Sequence, residues 1–248
     1  MMIAVFSECV VTRFMKILGV DSSATAASAA VYSDGKVLTL NFSNTGLTHS
    51  QTLLPMIENA LRSANVSVND IDLFAISNGP GSFTGVRIGV AAIKGIAQPL
   101  SKKCAAVSTL EVIAKPLENT GCLAVAVMDA RCNQVYTARF DCSDGFNRVS
   151  DDEAITIDEL YEKLKDVTQP IMLIGDGAKV TYNKLFDKLN NVFMAPASIR
   201  YQSAASVALI AAEKCENGTL ELLDANDVLP NYLRLSQAER ELKKKNNN

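Results

Sequence analysis

Histidine is nearly absent from the sequence, and the cysteines form no ligand pattern. Among 248 residues there is one histidine, His49, and none of the six cysteines belongs to a C-x-x-C pair. A zinc or iron site with nitrogen and sulfur ligands needs several such residues at close spacing. We therefore predict no metal ion and no cofactor. Free cysteines act as small hydrophobic residues in a reducing compartment, so a cytoplasmic location fits best.

An excess of positive charge and a long apolar run are also lacking. The chain has 24 basic and 27 acidic residues, a net charge of −3, so no overall field attracts nucleic acid or an anionic membrane. If RNA is involved, another molecule holds most of it. The first residues, MMIAVFSECVVTRF, are too short to span a bilayer and lack a basic start. We interpret residues 1–14 as an N-terminal extension.

What the sequence does contain is one pattern of strands and turns that occurs twice. From Lys16 a strand, KILGV, ends at Asp21, and two further strands follow. From Cys122 a strand, CLAVAV, ends at Met128 and Asp129, and the same order returns. Each copy continues with alternating helices and strands. Duplication of a β-β-β-α-β-α unit predicts an α/β protein with two lobes, like actin, the sugar kinases and the heat-shock-chaperone ATPases.

The repeat also suggests where the lobes begin and end. We predict a first lobe over residues 15–115, which includes the GPGSFTG loop, and a second lobe over residues 116–224. Residues 225–248 are expected to return toward the first lobe and to end in a frayed tail, because the chain closes on three lysines and three asparagines.

The turns after the first strand of each copy are candidate ligand sites, because in the predicted fold both face the cleft between the lobes. Asp21, Ser22 and Ser23 could offer a carboxylate to a metal-bound nucleotide and donors to its phosphates. Asp129 and Arg131 form a similar group, with Arg131 as the candidate anion ligand. In both cases a turn that only satisfies its own backbone is the alternative.

The stretch NGPGSFTGVRIG, residues 78–89, joins a predicted strand to a predicted helix. Pro80 removes an amide from the loop and no acidic residue ends the next strand, which argues against a dinucleotide fingerprint. No Gly-Lys-Ser/Thr follows, so a Walker loop is excluded, and Ser82 does not lie in G-x-S-x-G. A serine peptidase would have to pair Ser82 with His49, but a capping or surface role suits His49 better.

Glycines recur every four residues along the helix that follows this loop. They are followed at the same spacing by Ile93, so one stripe of the helix is nearly bare backbone at its start. Each glycine inside a helix costs about 1 kcal/mol relative to alanine, so a close contact must compensate. The stripe packs either on the lobe's own sheet or on a helix of another protein. We predict the second, with an interface formed by Gly81, Ser82, Phe83, Gly85, Arg87, Gly89 and Ile93.

Four segments of the chain resemble one known family. ILGVDSS, GPGSFTGVRIG, MDARCNQVY and PNYLRLSQAE, which lie between residues 17 and 239, resemble the bacterial TsaB family, formerly YeaZ. The resemblance covers nearly the whole chain and implies the two-lobed fold. It also implies a role beside the paralogue TsaD and the small ATPase TsaE in the transfer of a threonylcarbamoyl group to adenosine 37 of tRNA.

The same resemblance separates the chain from its catalytic paralogue. TsaD proteins carry V-N-H-L-x-x-H, whose two histidines bind the catalytic metal. The corresponding segment here is VSTLEVI, residues 107–113, with Thr109 and Ile113 in place of the histidines. Neither side chain binds iron or zinc as imidazole does. In the second-lobe turn, residues 132–134 read Cys-Asn-Gln where glycine and glutamate are common in the family, which weakens an anion-binding role there.

The sequence therefore predicts a scaffold subunit that is not itself an enzyme. The resemblance implies that it binds TsaD and TsaE, forms a homodimer when TsaD is absent, and meets tRNA only through the complex. The alternative from another class is an ATP-dependent small-molecule kinase of the same fold, with Asp21 and an acid near Asp176 around magnesium. Unlike a scaffold, a kinase turns over ATP unaided. A peptidase that uses Ser82 and His49 is the least favoured reading.

Overall fold

The computed structural model of the protein describes residues 15–131 and 133–234. The predicted N-terminal extension, residues 1–14, lies outside the described residues, as do Cys132 and the tail after Arg234. In the described part, no helix is both long enough and apolar enough to cross a membrane.

Five strands form the sheet of the first lobe. The first two pairings are antiparallel and the next two are parallel. The turn between the second and third strands uses Asp34 and Gly35, whose φ angles of 51° and 69° are those of a tight hairpin turn. In spatial order the sheet is β3 (Lys36–Ser43), β2 (Ala27–Ser33), β1 (Lys16–Asp21), β4 (Leu73–Gly79) and β5 (Lys103–Ser108).

A second sheet repeats this plan in the other lobe. Its central hairpin is antiparallel, and two strands join it in parallel on one side. The third strand of the repeat is split into two short pieces that both pair with the same neighbour. The order is β11 (Val192–Met194), β10 (Ile171–Ile174), β6 (Leu123–Asp129), β7 (Gln134–Asp141) and β8 (Asn147–Arg148), with β9 (Glu153–Thr156) on β7.

Six α-helices of the described residues cover the two sheets. The first two pack on one face of the first sheet, around Leu18, Val31 and Phe74. The fourth and fifth pack on the second sheet, around Val125 and Leu173. The helices are α1 (His49–Ser63), α2 (Phe83–Ala97), α3 (Thr109–Ala114), α4 (Ile157–Leu164), α5 (Ala178–Leu185) and α6 (Ala204–Glu216).

Helix α6 crosses back to the first lobe, which corrects the predicted boundary of the second lobe. Its side chains Val207 and Ala211 pack with Ile17 and Leu73 on the face of the first sheet opposite α1 and α2. Ser28 on β2 accepts a hydrogen bond from the first amide of α6 at 2.8 Å. Residues 116–224 are therefore not a single lobe, because the last helix covers the first sheet. The two-lobed, actin-like fold is confirmed.

Candidate functional site

A cleft of about 580 Å³ lies between the two lobes. Both predicted turns contribute to it, together with the GPGSFTG loop and the start of α2. This arrangement follows from the duplication, since the corresponding turns of the two copies face each other across the cleft. Its lining includes Ser23, Thr25, Gly81, Ser82, Phe83 and Thr84 from the first lobe and Met128, Asp129, Ala130, Arg131, Tyr136 and Asp176 from the second.

Asp21 does not reach the cleft, contrary to the prediction. The residue is fully buried and does not line the cavity. Its Oδ1 accepts hydrogen bonds from the backbone amide of Ser23 at 3.0 Å and from the Ser23 hydroxyl at 2.9 Å. Burial raises the pKa of Asp21 to about 6, although the Ser23 and Ser77 groups beside it oppose the shift. The carboxyl therefore closes its own turn and is not placed to hold a metal-bound nucleotide.

Ser22 and the glycine stripe of α2 pack against each other inside the first lobe. The Ser22 hydroxyl donates a hydrogen bond to the carbonyl oxygen of Gly85 at 2.9 Å. A Cβ atom at Gly85 would overlap the carbonyl oxygen of Ser22, and one at Gly89 would lie 2.5 Å from the Ser22 Oγ. A Cβ at Gly81 would overlap the carbonyl oxygen of Ser23. The glycines are needed because the helix approaches its own sheet this closely.

The stripe is therefore internal, which corrects its interpretation as a docking surface. Gly85 and Gly89 are buried, and Ile93 is fully buried in the core of the first lobe. Ser82 and Arg87, which were predicted in the same interface, remain exposed. Periodicity identified the glycine stripe correctly but could not determine which neighbour it faces.

Ser82 and His49 do not form a catalytic pair. Ser82 caps α2, since its Oγ accepts a hydrogen bond from the Gly85 amide at 3.2 Å. The backbone amide of Ser82 donates to the carbonyl oxygen of Ser23 at 2.7 Å. His49 Nε2 lies 2.6 Å from the carbonyl oxygen of Ala24, so the ring binds the turn after β1. Both side chains have structural roles, which removes the basis for the peptidase alternative.

Two carboxylates of the second lobe line the cleft, Asp129 at the end of β6 and Asp176 just after β10. Asp129 Oδ1 accepts a hydrogen bond from the Arg131 amide at 2.7 Å, and the Asp129 amide donates to Asp176 Oδ1 at 3.2 Å. Burial raises the pKa of Asp176 to about 6, and the charge of Asp129 adds to the shift, while the hydrogen bond from the Asp129 amide opposes it. Asp129, Asp176 and Arg131 thus all line this side of the cleft. An anion bound here would need a cation to offset the carboxylates.

The segment that corresponds to the metal-binding helix of TsaD is part of the core. Thr109 is fully buried, and its Oγ1 lies 2.7 Å from the Ser77 Oγ in a hydroxyl pair between β4 and α3. Ile113 is 1% exposed and packs with Leu110 and Phe140 beneath the second sheet. Neither side chain lines the cleft. The segment therefore serves packing in this chain.

The outer face of α2 carries little charge. Its exposed positions are Thr84, Arg87, Ala91 and Gly95. A Cβ atom at Gly95 would meet no atom within 4 Å, so this glycine is open to the surface. On the neighbouring helix α1, Leu54 is 54% exposed.

Residues near the C terminus contact the loop and α2, and the sequence pattern did not single them out as site residues. Lys94 Nζ donates to the carbonyl oxygens of Asn226 and Val228 at 2.8 and 3.2 Å. The ring of Tyr232 stacks on that of Phe83, with centroids 4.3 Å apart. Residues 225–248 were expected to return toward the first lobe, but the motif PNYLR has no pattern that predicts these particular contacts.

Comparison with known proteins identifies the class. A family model described as TsaD, tRNA N6-adenosine threonylcarbamoyltransferase, matches residues 43–242. A solved structure titled YeaZ from Pseudomonas aeruginosa superposes with a TM-score of 0.72, at 24% identity, over 88% of this chain and all of that chain. The fold and the matched model thus define a two-lobed protein related to the threonylcarbamoyltransferases.

Full-length relatives narrow this class. The TsaB protein of Bacillus subtilis is 28% identical over 91% of this chain and 96% of its own length. The Escherichia coli TsaB protein is 32% identical over 66% of this chain and 72% of its own length. Both are named tRNA threonylcarbamoyladenosine biosynthesis proteins. The chain belongs to the TsaB (YeaZ) family.

Proposed function

We propose that the protein is a non-catalytic subunit in the synthesis of threonylcarbamoyladenosine at position 37 of tRNA. It binds the paralogue TsaD through the outer face of α1 and α2, supports the transferase activity of TsaD together with TsaE, and forms a homodimer when TsaD is absent. The complex holds the tRNA, and the protein acts in the cytoplasm. The observation that carries the proposal is the uncharged, open surface at Ala91 and Gly95 on a helix otherwise packed on its own sheet.

The residues that would have to perform catalysis are replaced or buried. Thr109 and Ile113 occupy the places of the metal-binding histidines and are buried away from the cleft. A kinase of this fold would use Asp21 at the nucleotide, but Asp21 is fully buried and bonded to Ser23. The cleft carboxylates Asp129 and Asp176 lack a partner acid from the first lobe among its described lining residues.

The proposed docking face has small, uncharged side chains at its centre. Gly95 and Ala91 present almost no side chain, so a helix of a partner can approach the α2 backbone closely. Leu54 adds exposed apolar surface on α1. TsaD is the partner that we favour. The TsaD family model matches residues 43–242 of this chain, a range that includes α1 and α2, so TsaD should have a related pair of helices. Two related chains can pack these helices about a pseudo-twofold axis.

Binding to TsaD tests the docking face directly. Gly95→Leu adds a side chain at the proposed contact, at a position where a Cβ atom meets no atom of this chain within 4 Å. Overpacking at a fitted contact costs about 1 to 3 kcal/mol, and each 1.4 kcal/mol is a factor of ten, so we expect affinity for TsaD to fall roughly ten- to a hundredfold. Lys179→Leu, at an exposed position of α5, is the matched control and should bind like the parent. Equal binding by Gly95→Leu would place the interface elsewhere.

Reconstitution tests the role in catalysis. With the carbamoyl-adenylate-forming enzyme, TsaD, TsaE, ATP, threonine and bicarbonate, we expect modified tRNA only when this chain is added as well. Modified tRNA formed without TsaD would contradict the scaffold role. Release of phosphate from ATP by the isolated chain at a rate above that of an Asp129→Asn, Asp176→Asn double variant would favour the kinase alternative.

A further inference from the structure

A short C-terminal segment contacts residues of both lobes that line the cleft. We call residues 226–234 the strap. Its first part is fixed to the first lobe, since Lys94 Nζ on α2 donates to the carbonyl oxygens of Asn226 and Val228 at 2.8 and 3.2 Å. The Val228 side chain is fully buried in the core beneath α2. This end of the strap is therefore a permanent part of the first lobe.

The middle of the strap lies on the loop that precedes α2. The Asn231 amide donates to the carbonyl oxygen of Asn78 at 2.7 Å, and the Asn78 side chain donates to the carbonyl oxygen of Leu229 at 3.1 Å. Gly79 has a φ of 122°, and a Cβ atom there would overlap the carbonyl oxygen of Asn231. The first glycine of the GPG loop is thus required by the strap, a role that local sequence does not reveal.

The end of the strap contacts both lobes. The Tyr232 ring stacks on Phe83 with centroids 4.3 Å and planes 11° apart, and Arg87 Nε donates to the Tyr232 hydroxyl at 2.6 Å. Two residues later, an Arg234 guanidinium nitrogen donates to the carbonyl oxygen of Ala130 at 3.0 Å. Phe83 and Ala130 line the cleft from opposite lobes. The strap therefore joins the start of α2 to the turn between β6 and β7.

Ion pairs also join the lobes away from the cleft. Glu111 on α3 pairs with Lys214 on α6 at 2.8 Å and with Arg148 on β8 at 3.7 Å. None of these three residues lines the cavity. A pair of lobes joined at one side can still rotate about that joint, and a tie across the cleft removes this freedom.

We propose that the strap is a latch that sets the separation of the two lobes. Its buried first part stays attached, while its last contacts, made by Tyr232 and Arg234, open and close. Tyr232 is 38% exposed, and Arg87 lies at the surface, so these contacts can break without exposing the core. When they break, the turn that carries Asp129 and Arg131 moves away from the start of α2 and the cleft widens.

Distance measurements between the lobes test the latch. Spin labels are placed at Ser50→Cys on α1 and Lys179→Cys on α5, both exposed positions. The labelled chain carries Cys9, Cys132 and Cys215 as serine, whereas Cys104, Cys122 and Cys142 are buried and stay unlabelled. The labelled chain is mixed with an excess of unlabelled chain, so that distances within one chain dominate even in a homodimer, and the parent is then expected to give one narrow distance distribution. Arg234→Ala and Tyr232→Ala should each broaden it and shift it to longer distances, with Tyr232→Phe between them and the parent.

Two control variants test whether loss of any exposed side chain, and not the strap contacts in particular, changes the distance distribution. Arg62→Ala removes an exposed arginine of α1 that hydrogen-bonds within its own helix, and Phe186→Ala removes an exposed aromatic ring of the second lobe. Both should leave the distribution of the parent unchanged. The proposal is overturned if Arg234→Ala, folded by circular dichroism, retains the parent distribution. Among the described residues, Arg234 hydrogen-bonds to the backbone carbonyl of Ala130, so its loss removes no side chain of the hydrophobic core. This variant therefore decides the question even if Tyr232→Ala does not fold.

Discussion

Two glycines of the same helix should respond in opposite ways to the same substitution. Gly85 faces the turn after β1, where a Cβ atom would overlap the Ser22 carbonyl oxygen, whereas Gly95 faces open space. Alanine gains about 1 kcal/mol over glycine in a helix interior at either position. Only at Gly85 must the helix move away from the sheet to make room.

The size of the difference follows from the contacts that the movement breaks. Overpacking in a fitted core costs about 1 to 3 kcal/mol. The hydrogen bond from the Ser22 hydroxyl to the Gly85 carbonyl, 2.9 Å long, would also be stretched, for about 1 kcal/mol more. After the helix gain, Gly85→Ala should lose about 1 to 3 kcal/mol of unfolding free energy, whereas Gly95→Ala should gain about 1 kcal/mol.

Thermal unfolding followed by circular dichroism measures this difference. For a chain of this length, 1 kcal/mol shifts Tm by about 2 to 4 °C, so the two variants should differ in Tm by roughly 5 to 15 °C. Urea unfolding of the same pair gives the free energies independently. If Gly85→Ala is as stable as Gly95→Ala, α2 does not pack on the turn through its glycines, and the assignment of the stripe to the interior fails.

Three further predictions concern two buried carboxyl groups, a buried lysine and the metal content. Asp21 and Asp176 have pKa values raised from 3.8 to about 6, so between pH 4 and 6 the folded state binds more protons than the unfolded state. The free energy of unfolding should therefore fall as pH rises through this window. Urea titrations from pH 4 to 7 should show a smaller fall for Asp21→Asn than for the parent. The Lys115 side chain is 3% exposed and pairs with Glu118 and Glu213. Lys115→Ala should lower the free energy of unfolding by about 1 to 3 kcal/mol. Adding salt to the parent should lower its stability by much less, because a buried ion pair is weakly screened. Elemental analysis should find no stoichiometric iron or zinc in purified protein, and about one metal ion per chain retained through chelation would contradict that expectation.

Much of the fold could be predicted from local sequence. Alternating and continuous apolar runs mark strands, and the repeat of strand, acidic turn and strand implies a duplicated architecture. The structure has strands at Lys16–Asp21 and Leu123–Asp129 where the pattern predicted them. Strands and turns of this kind are set by residues close together in the sequence, so they can be predicted without knowing how distant segments pack. The family resemblance rests on the same contiguous segments.

The candidate site was predicted only in part, because its members depend on distant contacts. Ser23, Asp129 and Arg131 line the cleft as expected, but Asp21 and Ser22 are buried beneath it. Whether a turn residue points into a cleft or into the core is decided by what packs on the turn. The element that packs on the turn after β1 is α2, and its Gly85 accepts a hydrogen bond from Ser22, 63 residues earlier in the chain.

Sequence alone thus determined the order of strands and helices, the glycine stripe, and the lack of histidines for a metal site, because these are properties of residue type and spacing. Tertiary structure alone decided that the stripe faces inward, that α6 returns to the first sheet, and that the strap crosses from Phe83 to Ala130. Helical periodicity defines a face relative to the helix axis but not the direction in which that face points. That direction is set by the packing of segments far apart in the chain.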